Sequence, residues 1–150
     1  METKQKEKKK KKKRKNPRLL LINYESLTRE ELISTIEEIE GRLRKEFKFH
    51  IGEENAISPV GIFEKCLDIP MESLNIYLKS FWWRVIQGVM RNLRHSGDLF
   101  IVRRGHHYFV LKTHGEAGYY KRQLRKNIEA CERSMKKADE WVEKQKWKDF

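Results

Sequence analysis

The sequence predicts a mainly α-helical fold with one small β-hairpin, and three observations carry that prediction. First, Ile86, Val89, Met90 and Leu93 fall at i, i+3, i+4 and i+7, the apolar stripe of a helix. Second, two short alternating runs, Leu99 to Arg103 and His107 to Leu111, flank a glycine-containing turn at Gly105. Third, Leu124, Ile128, Cys131, Met135, Ala138 and Val142 recur at steps of 4, 3, 4, 3 and 4, the period of a long heptad helix.

The chain begins with a low-complexity tail, residues 1–16, which holds ten basic residues against Glu2 and Glu7. Charge at this density, with nothing apolar to bury, predicts disorder. The tail carries +8 of the formal net charge of +12, so the rest of the chain is far less basic than the total implies. Its functional reading is a flexible polyanion-binding arm, or an import signal in a eukaryotic host; its bland reading is a solubilising tail.

Residues 17–54 form an N-terminal segment. Leu19 to Tyr24 is a short apolar run, a strand or a buried extended lead-in. Thr28-Arg29-Glu30-Glu31 is a capping box, in which the threonine oxygen takes the third residue's N–H and the glutamate reaches back. The helix it starts is expected to end near Arg44 and to bury Leu32, Ile36, Ile39 and Leu43. Phe47 to Ile51 alternates like a short strand, with loop over Gly52 to Asn55.

Residues 55–112 read as the central domain. Ser58-Pro59 is a cap followed by proline in the first turn, and the helix to Leu67 buries Ile62, Phe63 and Cys66 or Leu67. Pro70 begins a second short helix, which offers Leu74, Ile76, Tyr77 and Leu78 to the core and is ended by a turn at Lys79-Ser80. A third helix, 80–96, starts on Ser80 as N-cap and stops at Gly97. Its apolar stripe is backed by a second face of Arg84, Gln87, Gly88 and Arg91, basic, amide-bearing and open at the glycine. Trp82, four before Ile86, points inward with Phe100, Val102 and Phe109; Trp83 lies at the edge, packing on another element or beside a sugar-phosphate backbone. Residues 113–150 contain the heptad helix, from about Glu116 to Trp147.

A polar-faced helix, a glycine stop and a hairpin with a basic tip resemble the winged helix-turn-helix superfamily. Ile86, Met90 and Leu93 match the stripe of its recognition helix; His95-Ser96-Gly97-Asp98-Leu99 matches the turn into the wing; Val102 to Gly105 and Tyr108 to Leu111 match the wing. The resemblance implies binding of double-stranded DNA by a transcriptional regulator. Helix 80–96 would then enter the major groove with Arg84, Gln87 and Arg91 at base edges, Gly88 allowing close approach. Lys79, Ser80 and Arg94 would touch phosphates, Trp83 the backbone, and Arg103, Arg104, His106 and His107 the backbone or minor groove. Winged helices also serve as RNA-binding and protein-binding modules, so two rivals stand beside this reading. One is an RNA- or ribonucleoprotein-associated protein; the other is an adaptor in which the heptad helices do the work.

Local charge supports a phosphate-rich partner. Lys79 to Lys112 holds seven Lys or Arg against Asp98, whereas Arg29 to Glu40 holds five Glu against one Arg. The seam Leu124, Ile128, Cys131, Met135, Ala138 and Val142 is too narrow to cover more than one neighbouring helix. It predicts a homodimer through the C-terminal helix, presenting two half-site readers in an inverted repeat, or pairing within the chain onto Leu32 to Leu43.

Other chemistry is not signalled. The five histidines show no ligand spacing, so no metal and no cofactor is expected. No P-loop, G-x-G-x-x-G or G-x-S-x-G occurs, and neither an enzyme nor a small-molecule substrate is indicated. Cys66 and Cys131, far apart and on apolar stripes, make no disulfide framework and point to a reducing, intracellular setting, nuclear in a eukaryote. No apolar run is long enough for a membrane helix or a signal peptide.

Overall fold

The computed structural model describes residues 24–145. After a 3₁₀ turn at Tyr24–Ser26 come α1 (Arg29–Glu46), α2 (Pro59–Leu67), α3 (Ile76–Ser96), β1 (Ile101–Arg104), β2 (His107–Val110) and α4 (His114–Gln145). The order is helix, helix, helix, hairpin, long helix, so the mainly helical fold with one small hairpin is as the periodicity predicts. The basic tail and nearly all of the apolar run after it lie outside the described residues. The chain divides into two compact units, one ending at Leu111 and one beginning at Lys112.

The capping box at Thr28 starts α1: Oγ1 of Thr28 accepts the Glu31 N–H at 3.2 Å. Glu30 and Glu31 in the first turn and Arg44 and Lys45 in the last oppose the helix dipole favourably. Ile39 and Leu43 are fully inside, and Leu32 and Ile36 pack against the same core. That cluster also contains Ile62, Phe63, Trp82 and Ile86, so α1 shares one core with α2 and α3 rather than pairing as a separate helix. Arg42 donates to the carbonyl of Cys66 at 2.9 Å, tying α1 to the end of α2.

The strand expected over Phe47 to Ile51 is instead a 3₁₀ turn, Phe47–Phe49. Phe47 continues the Ile39, Leu43 stripe by one more helical turn and is buried, while Phe49 is 74% exposed. Core packing of Phe47 therefore overrides the local alternation. Ile51 contributes only a single bridge to Val110, and Ile57 a second one to Tyr108. These give β2 two short neighbours on the edge away from β1, with Tyr108 N–H donating to Ile57 O at 2.9 Å.

Ser58 and Pro59 start α2 as predicted, Oγ of Ser58 accepting from Gly61 N–H at 3.1 Å. The helix ends on Asp68, which takes the left-handed conformation with φ 54°. Its buried face carries Ile62, Phe63, Cys66 and Leu67.

The largest departure from the sequence reading is the start of α3. The helix begins at Ile76, capped by Asn75 whose Oδ1 accepts the Leu78 N–H at 2.9 Å. Between α2 and α3 there is only a 3₁₀ turn at Met71–Ser73, with no separate second helix and no break at Lys79-Ser80. Leu78, Trp82 and Ile86 form one buried stripe at steps of four, so splitting the helix at Ser80 would interrupt the face that fills the core. Gly97, at φ 78°, closes the helix as predicted.

The strands are two residues shorter at the start of β1 and end slightly earlier in β2 than the pattern suggests. They pair antiparallel with Ile101 opposite Val110 and Arg104 opposite His107. The two-residue turn places Gly105 first at φ 61°, where only glycine is unstrained. Val102 and Phe109 are buried but lie outside the cluster that holds Trp82, to which the hairpin gives Ile101 and Tyr108 instead, and Phe100 stands just outside β1, 37% exposed, so the core is not shared by the residues expected. Asp98, in the turn before it, pairs with Arg44 of α1 at 3.2 Å.

A second capping box, not read from the sequence, starts α4 two residues early: Thr113 Oγ1 accepts the Glu116 N–H at 3.2 Å, and Glu116 accepts the Thr113 N–H. The helix runs 32 residues with no buried residue.

Candidate nucleic-acid interface

The outward face of α3 is a stripe at helical spacing. Tyr77, Ser80, Arg84, Gln87 with Gly88, and Arg91 follow one another at steps of three or four, opposite Leu78, Trp82, Ile86 and Leu93. Ser80, Arg84 and Arg91 are exposed; Gln87 and Gly88 are half-buried. A Cβ built at Gly88 would meet no atom within 4 Å among the described residues, so the face is open there.

The hairpin turns one edge of this stripe into a cleft of about 220 Å³. Gln87, Arg91 and Arg94 line it from α3 and Arg103 from β1, over Met90, Ile101 and Tyr108. Three guanidiniums and a primary amide therefore converge on one apolar floor, with no carboxylate among the lining side chains. Such a set accepts anionic oxygens, because guanidinium N–H groups donate in pairs and carry fixed charge.

Two of these arginines are also tied to the scaffold. Arg94 donates to the Ile101 carbonyl at 3.1 Å, joining the last turn of α3 to the first residue of β1. Arg103 Nε donates to Gly105 O at 2.8 Å, which orients its side chain along the wing turn.

The remaining expected residues are distributed differently. Arg104 alternates to the other hairpin face and pairs with Glu53 at 2.8 Å. His106 and His107 are exposed at the wing tip. Lys79 is half-buried and Ser80 lies in the second turn of α3, where it caps nothing. Trp83 packs inward, its ring meeting Tyr108 edge to face at 5.9 Å.

Ile76 and Tyr77, expected in the core of a short helix after Pro70, stand outside it at the start of α3, while Leu74 and Leu78 are buried as expected. Ile76 and Tyr77 are among the most exposed apolar side chains described, the latter at 77%. An Asn three before Leu78, with neither glycine nor proline between Leu78 and Trp82, was the available signal for the earlier start. Met90 and Tyr108 were legible as stripe and wing residues, but no local pattern says that they meet as the floor of a cleft.

Among the described residues no group of three or more His, Cys, Asp or Glu is placed to hold a metal. No described helix is long and apolar enough to cross a membrane. The buried Cys66 thiol is pushed up to about 12 by its burial, partly offset by Arg42, so it stays neutral and unreactive. No protein-family description, curated protein or solved structure matches the chain. Its described residues form a helix-rich domain whose three helices and hairpin follow a winged-helix order.

Proposed function

We propose that this chain binds double-stranded DNA in a sequence-dependent manner and acts as a transcriptional regulator. The observation that carries the reading is the continuity of the α3 stripe with the arginine-lined cleft under the hairpin. A helix about 10 to 12 Å across fits the major groove, and the stripe is the face of α3 that the core leaves unused. Arg84, Gln87 and Arg91 then face base edges, where Arg pairs bidentately with guanine and Gln with adenine. Tyr77 and Ser80 extend that face by one turn toward the helix start. Arg94 and Arg103 hold a backbone phosphate in the cleft, fixing the register in which bases are read. His106 and His107 lie along the neighbouring backbone or minor groove, and the lysine tail adds sequence-blind attraction.

The test is selection of bound sequences from a random duplex pool with the full-length chain, against structured RNA of equal length as competitor. Enrichment of a defined duplex motif is the expected result. Enrichment of no motif, with RNA competing as well as DNA, would replace this reading by backbone binding alone.

A further inference from the structure

The apolar seam of α4 is exposed along its whole length, Leu124, Ile128, Met135 and Val142 among the exposed large apolar residues and Cys131 and Ala138 exposed between them. Among the described helices, the other one with a matching seam, α1, spends Ile39 and Leu43 on the core it shares with α2 and α3. We infer that α4 pairs with α4 of a second copy, and that the two helices run antiparallel about a two-fold axis near residue 133.

The order of large and small side chains decides the direction. Along the seam Ile128 is followed by Cys131, Met135 by Ala138. In a parallel pair each residue meets its own copy. Wide layers of Ile128 and Met135 then alternate with narrow layers of Cys131 and Ala138, although the helix axes keep one spacing of about 8 to 10 Å. The narrow layers become cavities, which is costly. In an antiparallel pair centred near residue 133, Leu124 meets the partner's Val142, Ile128 meets the partner's Ala138, and Cys131 meets the partner's Met135. Every layer then joins one larger side chain to one smaller, and six consecutive layers fill evenly.

The flanking charges point the same way. In the antiparallel register Arg125 of each chain faces the partner's Asp139, giving two opposite-charge pairs. In the parallel register the flanking neighbours are Asn127 with the partner's Glu132 and Ser134 with the partner's Asp139, with no ion pair. One contact opposes the antiparallel form: Glu132 approaches the partner's Glu132 at the axis. With this register the two starts of α4 lie about 57 Å apart along the rod, at 1.5 Å per residue.

The test uses the full-length chain, freed of nucleic acid by nuclease and high salt, so its outcome is independent of any DNA reading. Sedimentation at tens of micromolar is expected to show a dimer; a monomer alone overturns the inference. Direction is read by mild oxidation of variants in a Cys131→Ala background. The variant with both Leu124→Cys and Val142→Cys is expected to form a covalent dimer, while Leu124→Cys alone does not. These two positions are too far apart on one helix to bridge within a chain. Cross-linking by Leu124→Cys alone, or by the native chain through Cys131, would establish the parallel form and sink the antiparallel one. A dimer in which neither variant links would overturn the register. Glu132→Gln is expected to tighten the dimer about two-fold by removing the like-charge contact. All substituted side chains are exposed on α4, so none disturbs the core.

Discussion

Trp83 of α3 and Tyr108 of β2 meet edge to face, ring centroids 5.9 Å apart and planes at 79°. Tyr108 also forms part of the floor of the arginine-lined cleft, so this pair sets how the hairpin stands against the helix that carries Gln87 and Arg91. Edge-to-face pairs contribute about 0.5 to 1.5 kcal/mol beyond area burial. A double-mutant cycle on Trp83→Leu and Tyr108→Leu, followed by urea unfolding, is expected to return a coupling in that range. A coupling near zero would mean that the ring pair adds nothing beyond the area it buries.

The stripe on α3 separates two kinds of loss. Alanine at Arg84, Gln87 or Arg91 is expected to cost about 1 to 3 kcal/mol on the preferred duplex and little on random duplex. Arg103→Ala is expected to weaken both equally and to lower the salt dependence by about one phosphate's worth, a slope of roughly 0.9. Titrations at several salt concentrations on both duplexes read the difference. Equal losses for all four variants would leave only charge and no reading of bases.

The start of α3 can be tested without any ligand. Asn75 caps the helix through the Leu78 N–H, so Asn75→Ala is expected to destabilise by about 1 kcal/mol. Ser80 lies exposed inside the helix, where alanine is the better helix former, so Ser80→Ala is expected to be neutral or slightly stabilising. The reverse ranking in thermal unfolding would put the helix start back at Ser80.

Cys66 gives the fold an alkaline weakness. Burial holds its thiol neutral, up to about 12, whereas the unfolded thiol titrates near the ordinary 9.0. Below that ordinary value both states carry the proton and stability is unaffected. Between the two values unfolding releases a proton, so stability falls as pH rises. Cys66→Ala is expected to start less stable, through the lost packing, but to show a shallower decline between about pH 9 and 10.5. Native labelling with a thiol reagent is expected to leave Cys66 unmodified until the protein unfolds. Parallel pH profiles for the two proteins would mean Cys66 ionises in place.

Local signals in the sequence were enough for α1 and α2, whereas the equally local caps of α3 and α4, at Asn75 and Thr113, went unread. Thr28 and Ser58 start α1 and α2 where expected because a cap and its partner lie within three residues of each other. The same holds for the Gly97 stop and the Gly105 turn, where positive φ demands glycine. Trp82 was placed inside by its distance from Ile86 alone. Tertiary structure decided what periods of two and 3.6 residues leave open. It drew Phe47 into the core as a continuation of α1, although its neighbours alternate like a strand. It joined Leu78 to the Trp82 and Ile86 stripe, which moved the start of α3 and added Tyr77 to its outer face. It sent Arg103 to the cleft and Arg104 to Glu53 on the opposite face of the same strand. The cleft itself exists only because the chain reverses at Gly97 and again at Gly105. The angle at which the hairpin returns is set by Trp83, Ile101 and Tyr108 packing together, contacts distant in sequence whose geometry no local pattern encodes.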